Sequence, residues 1–214
     1  MAQYETEEQQ VEAIKQFWKE NGTAIILGAV IGFGGLFGWN YYKDYKQQQA
    51  EKASQNYAAA LQSIQAGQTE NPEFVKQAEA IKADFSDTSY AALSALKLAQ
   101  QYVEQNKLTE AAEQLAWVVD QSNDTFESVA TLRLARVQLQ QAEYDKAIST
   151  AASISEDAYK SSALLVKGEA LLAQEKIEDA KNAFIEARDA AENVSNPLLA
   201  MRLAEFGINE KQVK

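Results

Sequence analysis

The side chains best spaced to do chemistry in this sequence are pairs of carboxylates, Glu110 with Glu113 and Glu178 with Asp179. Two carboxyl groups in different environments can divide the roles of general acid and general base. Both pairs fall early in amphipathic segments, where negative charge favours the positive end of a helix dipole, so they are read as helix-start residues. No other reaction centre is offered. The 214 residues include no Cys and no His, which removes the imidazole base, the thiol nucleophile, haem and iron–sulfur ligation, and the ordinary zinc site. There is no GxSxG, no GxxxxGK followed by Ser or Thr, and no GxGxxG after a strand. The chain is therefore read as a non-enzyme with no cofactor and no metal. Twenty basic residues against 31 acidic, a net charge of −11, repel a phosphate backbone and exclude nucleic acid as a partner. Three Asn-x-Ser/Thr triplets, starting at Asn21, Asn123 and Asn193, are read as chance.

What remains is chemistry of contact, and it has two candidate locations. In the first, Gly28 with Gly32 and Gly34 with Gly38 form GxxxG spacings, with Gly35 between them, that let another helix approach closely. In the second, Gln100, Arg136 and Glu169 recur at one position of a repeat and present three different polar characters. They are the candidate groove contacts, with Val103 and Leu139 as possible apolar neighbours.

The elements that carry these residues follow from composition. Two Pro and nine Gly in a chain rich in Ala, Gln, Glu, Leu and Lys predict an all-α fold. From Gly22 to Tyr42 there is no charged side chain, and six of the nine glycines lie in this stretch. As a helix, its length of about 31 Å matches a hydrocarbon core of roughly 30 Å. Phe17 and Trp18 precede it and Trp39, Tyr41, Tyr42 and Tyr45 follow, placed like two interfacial belts. A cleaved signal is rejected, because the preceding residues are long and mostly acidic and Trp39, Asn40, Tyr41 and Tyr42 occupy the place of small cleavage-site residues. The expectation is an anchor over 23–42 in the lipid bilayer behind a tail over 1–22. Val11, Ile14, Phe17 and Trp18 suggest that the tail lies along the membrane surface or simply extends the spanning helix. Lys15 and Lys19 against Lys43, Lys46 and Lys52 lean weakly towards a cytoplasmic C-terminal part.

Beyond the anchor, three blocks beginning at Ala92, Ser128 and Ser162 align without gaps, their equivalent positions 36 and then 33 residues apart. Leu96, Leu132 and Leu165, then Ala99, Ala135 and Gly168, then Val103, Leu139 and Leu172 make the buried stripe of a first helix. Leu108, Tyr144 and Ile177, then Ala111, Ala147 and Ala180, then Leu115, Ala151 and Phe184, then Val118, Ile154 and Ala187 make the stripe of a second. Small residues at the Ala99 and Ala111 positions fit a close crossing, so each block is expected to be a helical hairpin. The spacing resembles the tetratricopeptide repeat, with departures in the second block at Gln138 and Ala151. The expected order is a helical extension or degenerate hairpin over 43–87, three hairpins over 88–191 and a capping helix within 192–214. A helix from Lys43 to about Ala66, a loop from Ala66 to Asn71, and helices beginning at Pro72 and Pro197 complete it.

The acidic opening YETEEQQVEAIKQFWKENG, the glycine-rich anchor ending GWNYY, and the blocks LKLAQQYVEQNKLTEAAEQL, LRLARVQLQ and GEALL together resemble the ancillary subunit family of the bacterial SecYEG translocon. The resemblance implies a single-pass inner-membrane protein with a cytoplasmic N-terminus and a periplasmic tetratricopeptide-like solenoid, a topology opposite to the lysine count. It also implies as partners the SecYEG translocon, a PpiD-like periplasmic chaperone, and unfolded or newly translocated proteins. The alternative is a scaffold or regulator with a cytoplasmic repeat domain that binds a signalling protein.

Overall fold

The absence of proline before Pro72, and the good helix formers on both sides of the uncharged run, leave nothing in the first sixty residues to stop a helix. The computed structural model, which describes residues 7–64, 71–121, 125–191 and 196–208, has one continuous helix there, α1 (Glu7–Gln62). The chain divides between Gln49 and Ala50 into two units. In the first, every side chain described except one belongs to an exposed or half-exposed residue, including Ile31, Phe33, Leu36 and Phe37, and only Gly22 is covered, by the indole of Trp18 one turn earlier. Trp39 and Tyr42 pack with ring centroids 6.4 Å apart, and Lys46 sits 5.8 Å from the Tyr42 ring, so the aromatic belt ends in a cation.

The second unit is built from α2 (Pro72–Asp84), α3 (Ser89–Glu104), α4 (Leu108–Asp120), α5 (Glu127–Gln140), α6 (Tyr144–Ala152), α7 (Asp157–Ala173), α8 (Ile177–Asp189) and α9 (Pro197–Glu205), with no strand among the described residues. Both prolines stand at the first position of a helix behind an asparagine cap. The Asn71 side chain accepts from the Phe74 amide at 3.0 Å and donates to the Ser63 carbonyl at 2.6 Å. The Asn196 side chain accepts from the Leu198 and Leu199 amides. Residues 66–70 of the expected loop, residue 65 before it, and Asn123 and Asn193 lie outside the described residues. Helix α1 ends at Gln62, earlier than the Ala66 expected, and Asn71 ties that end to the start of α2.

Consecutive helices pack as hairpins, α3 on α4, α5 on α6 and α7 on α8, and α5 also lies against α7. Leu96, Leu132 and Leu165, with Ala99, Ala135 and Gly168, are buried, as are Ala111, Ala147 and Ala180. A close crossing lies at Gly168, where an added Cβ would collide with the Phe184 ring, lying 2.6 Å from Cδ1. In two hairpins a small residue faces a large one, Gly168 with Phe184 and Ala99 with Leu115, whereas the middle hairpin has Ala at both equivalent positions, Ala135 and Ala151. The second stripe holds less well at its ends. Ile177 is 47% exposed because it precedes the crossing, and Ile154 lies beyond α6, which stops after Ala151 has no large side chain to bury.

A further repeat lies in the turns. Asn106, Ala142 and Glu175 have φ of 58°, 61° and 62°, spaced like the hairpins. Each lets the next amide reach back across the last turn, from Lys107 to Tyr102, Glu143 to Gln138 and Lys176 to Leu171, at 2.8, 2.9 and 3.0 Å. Gly207, φ 71°, does the same after α9, where the Ile208 amide reaches the Leu203 carbonyl at 2.9 Å. Helix α9 thus ends as a first helix ends, and its residues can be put in register with those of α3, α5 and α7.

Candidate peptide-binding groove and anchor face

The groove forms where α3 and α5 run side by side over α4. Its floor is apolar, from Leu96, Val103, Leu115 and Val137, and it encloses about 480 Å³. Sequence periodicity produces this floor, because the stripe residues of two first helices face the same second helix. The walls differ. On α3, Gln100 donates to Glu104 at 2.9 Å and accepts from Lys97 at 3.1 Å, so that wall is internally paired. On α5, Arg133 and Arg136 are one turn apart, both exposed, and neither has an ion pair among the described residues. Partial burial in the groove wall, and then the like charge of Arg133, hold the Arg136 guanidinium below its ordinary pKa. Two like charges side by side make a local positive patch in a chain of net charge −11.

Gln100 and Arg136 therefore line one groove, on opposite walls. Glu169 is elsewhere and engaged. Its two carboxylate oxygens accept from Arg202 Nε at 2.6 Å and Nη2 at 2.9 Å, both side chains being about a fifth exposed. Arg202 also donates to Glu205 at 3.0 Å, and these hydrogen bonds, Glu169 first, raise its pKa above the ordinary value. The pair fastens α9 to α7. Val103 is part of the groove floor, whereas Leu139 packs with Leu132, Ala135 and Ala163 in the next hairpin's core. Arg133 was not singled out from sequence, although it lies three residues before Arg136 on one helix face.

The anchor glycines present open surface. A Cβ added at Gly28, Gly32, Gly34, Gly35 or Gly38 meets no atom within 4 Å. At about 100° per residue, Gly28, Gly32 and Gly35 share an arc of roughly 60°, while Gly34 and Gly38 lie roughly 100° around the helix. The two GxxxG pairs thus occupy different faces, and Gly35 joins the first.

Comparison with known proteins now bears on the whole chain. Residues 15–207 match the family model described as a tetratricopeptide repeat-like domain. An Ancillary SecYEG translocon subunit of Escherichia coli strain K12 is 37% identical over 182 residues, 85% of this chain and 86% of that protein. The protein of the same name from Aggregatibacter actinomycetemcomitans is 37% identical over 202 residues, 92% of this chain and 96% of its own. That from Haemophilus influenzae is 30% identical over 198 residues, 92% and 96% of the two chains. The chain belongs to the ancillary SecYEG translocon subunit family. No solved structure matches it. The family match begins at Lys15, inside α1, so the apolar helix is part of the family pattern and not an appendage to the repeats. The family is not an enzymatic one. In keeping with that, Glu110 and Glu178 with Asp179 stand in the exposed first turns of α4 and α8, where they complement helix dipoles.

Proposed function

We propose that this chain is a single-pass inner-membrane protein that associates with the Sec translocon and holds segments of polypeptides emerging into the periplasm, in company with a PpiD-like chaperone. It works by binding and catalyses no reaction. The observation that carries this reading is the conjunction, in one chain that relatives named ancillary translocon subunits match over 85% or more of its length, of an apolar membrane-length helix with an open peptide-sized groove. Residues 23–42 span the bilayer, 1–22 face the cytoplasm, 43–87 extend the anchor, 88–191 form the hairpins and α9 lies in the terminal segment 192–214. The glycine face of Gly28, Gly32 and Gly35 supports lateral contact with a translocon helix, since small residues allow the close backbone approach that replaces hydrophobic driving force in lipid. Emerging clients surrender chain entropy on docking, so the complexes are weak and transient.

The absence of cysteine makes the topology directly testable. Ser149→Cys places a single thiol on the exposed face of α6. A membrane-impermeant maleimide should label it in cells with a permeabilised outer membrane, and SecYEG should co-purify with the full chain from gently solubilised membranes. Labelling only after lysis, or capture of a signalling protein in place of the translocon, overturns the reading.

A further inference from the structure

The left-handed residues Asn106, Ala142, Glu175 and Gly207 set one register for α3, α5, α7 and α9. Six residues before them come Gln100, Arg136, Glu169 and Met201, and nine before come Lys97, Arg133, Val166 and Leu198. The first helices therefore carry a line of side chains that changes character along the stack. At α5 it is two arginines with no ion pair among the described residues. At α7 it is silent, because Val166 is buried and the Glu169 charge is taken by Arg202. At α9 it is apolar, with Leu198 and Met201 exposed at 43% and 49%. Large apolar side chains exposed on a helix one turn apart are costly to leave in water. Unpaired arginines and exposed apolar groups at equivalent positions, with a neutralised step between them, describe a two-point site.

We infer that this line of first helices binds an extended polypeptide segment whose acidic side chains meet Arg133 and Arg136 and whose large apolar side chains, about five or six residues away, rest on Leu198 and Met201. The inference rests on the reading of the repeat face as a polypeptide-holding surface and adds its chemistry. The spacing comes from two helix-to-helix steps of roughly 8–10 Å each, α5 to α7 and α7 to α9, spanned by a strand that rises about 3.3 Å per residue. Charge complementarity decides the occupant. Guanidinium forks match carboxylates in bidentate geometry, and an acidic segment is repelled by most of a chain of charge −11 but not at this point. Glu104, which lines the same groove from α3, accepts from Gln100 and forms no ion pair with either arginine among the described residues.

The test uses the full-length protein in detergent micelles, at an ionic strength of about 0.15 M, and fluorescent peptides followed by anisotropy. The reference peptide carries Asp-Glu, a four-residue Gly/Ser spacer and Leu-Phe; one control replaces the acids with Asn-Gln and another removes the spacer. The reference should bind about tenfold tighter than either control, and Arg133→Gln with Arg136→Gln should abolish the preference for acid. Leu198→Ser with Met201→Ser should weaken the reference and spare the acid preference. None of the four side chains has a hydrogen bond or ion pair among the described residues, and an unchanged thermal midpoint confirms folding; Met201→Ser alone is the second variant if the double one melts early. Equal binding of the acidic and neutral peptides overturns this inference while leaving the peptide-holding role intact. Failure of every peptide to bind overturns both. Arginine-dependent binding to phosphatidylglycerol vesicles without any peptide preference overturns it in favour of a lipid surface.

Discussion

Glycine is asked for opposite things in the two units of this chain. In the anchor, five glycines look onto open space, and a methyl group at any of them would touch nothing. In the repeats, Gly168 is pressed against the ring of Phe184, itself fully buried, and has no room for one more carbon. The apolar side chains divide the same way: Ile31, Phe33 and Phe37 are exposed on α1, whereas Phe74, Leu98, Leu115 and Phe184 are buried. The repeat unit buries most of its large apolar side chains among its own helices and leaves open the groove between α3 and α5 and the side chains of Leu198 and Met201. The apolar helix leaves its large side chains and its glycines uncovered, a surface suited to lipid or to the close approach of another helix.

That contrast can be broken by substitution. Gly168→Ala should cost about 2–3 kcal/mol, because the buried Phe184 ring cannot retreat, and should lower the melting temperature of the full-length protein by about 2–4 °C for each kcal/mol. Phe184→Leu in the same chain should recover part of that loss; full tolerance of Gly168→Ala would show that the crossing is looser than the geometry states. Arg202→Ala removes a bidentate partner from a mostly buried carboxylate and should cost about 1–2 kcal/mol, seen as faster hydrogen exchange in α9 before the rest of the repeats. Ala142→Gly and Glu175→Gly should each stabilise the repeats by about 0.5–1 kcal/mol, since both residues hold a Cβ in left-handed backbone. A denaturant midpoint that falls in either variant would refute the shared turn geometry. Gly35→Ile should change the unfolding of the repeats by less than about 0.5 kcal/mol, yet reduce the SecYEG recovered with the full-length protein. Loss of repeat stability in this variant would erase the distinction between the two glycine classes.

The apolar helix, the hairpins and both helix starts at proline were legible in the residues, because each rests on a pattern that is local, whereas the asparagine caps before those prolines were not read. An uncharged run, a 3.6-residue stripe and a first-turn proline all act within a turn or two of themselves. The small positions were legible for a related reason, that Ala99, Ala135 and Gly168 recur at one place in three blocks. The left-handed turns were not, since Asn106, Ala142 and Glu175 share no residue type and only Gly207 advertises its backbone.

By itself, then, the amino-acid sequence determined that this chain is helical, that one uncharged stretch of it is long and apolar enough to cross a bilayer, and that three similar hairpins follow. Tertiary structure alone decided which polar residues remain available. Glu169 had looked equivalent to Gln100 and Arg136, but a guanidinium 33 residues away on α9 consumes its charge. Arg133 and Arg136, identical in kind to Arg202, stay unpaired because no described carboxylate reaches them. Periodicity reports which face of a helix is covered. Whether a charge on the open face has met its counterion depends on distances between helices, and these exist only after the chain has folded.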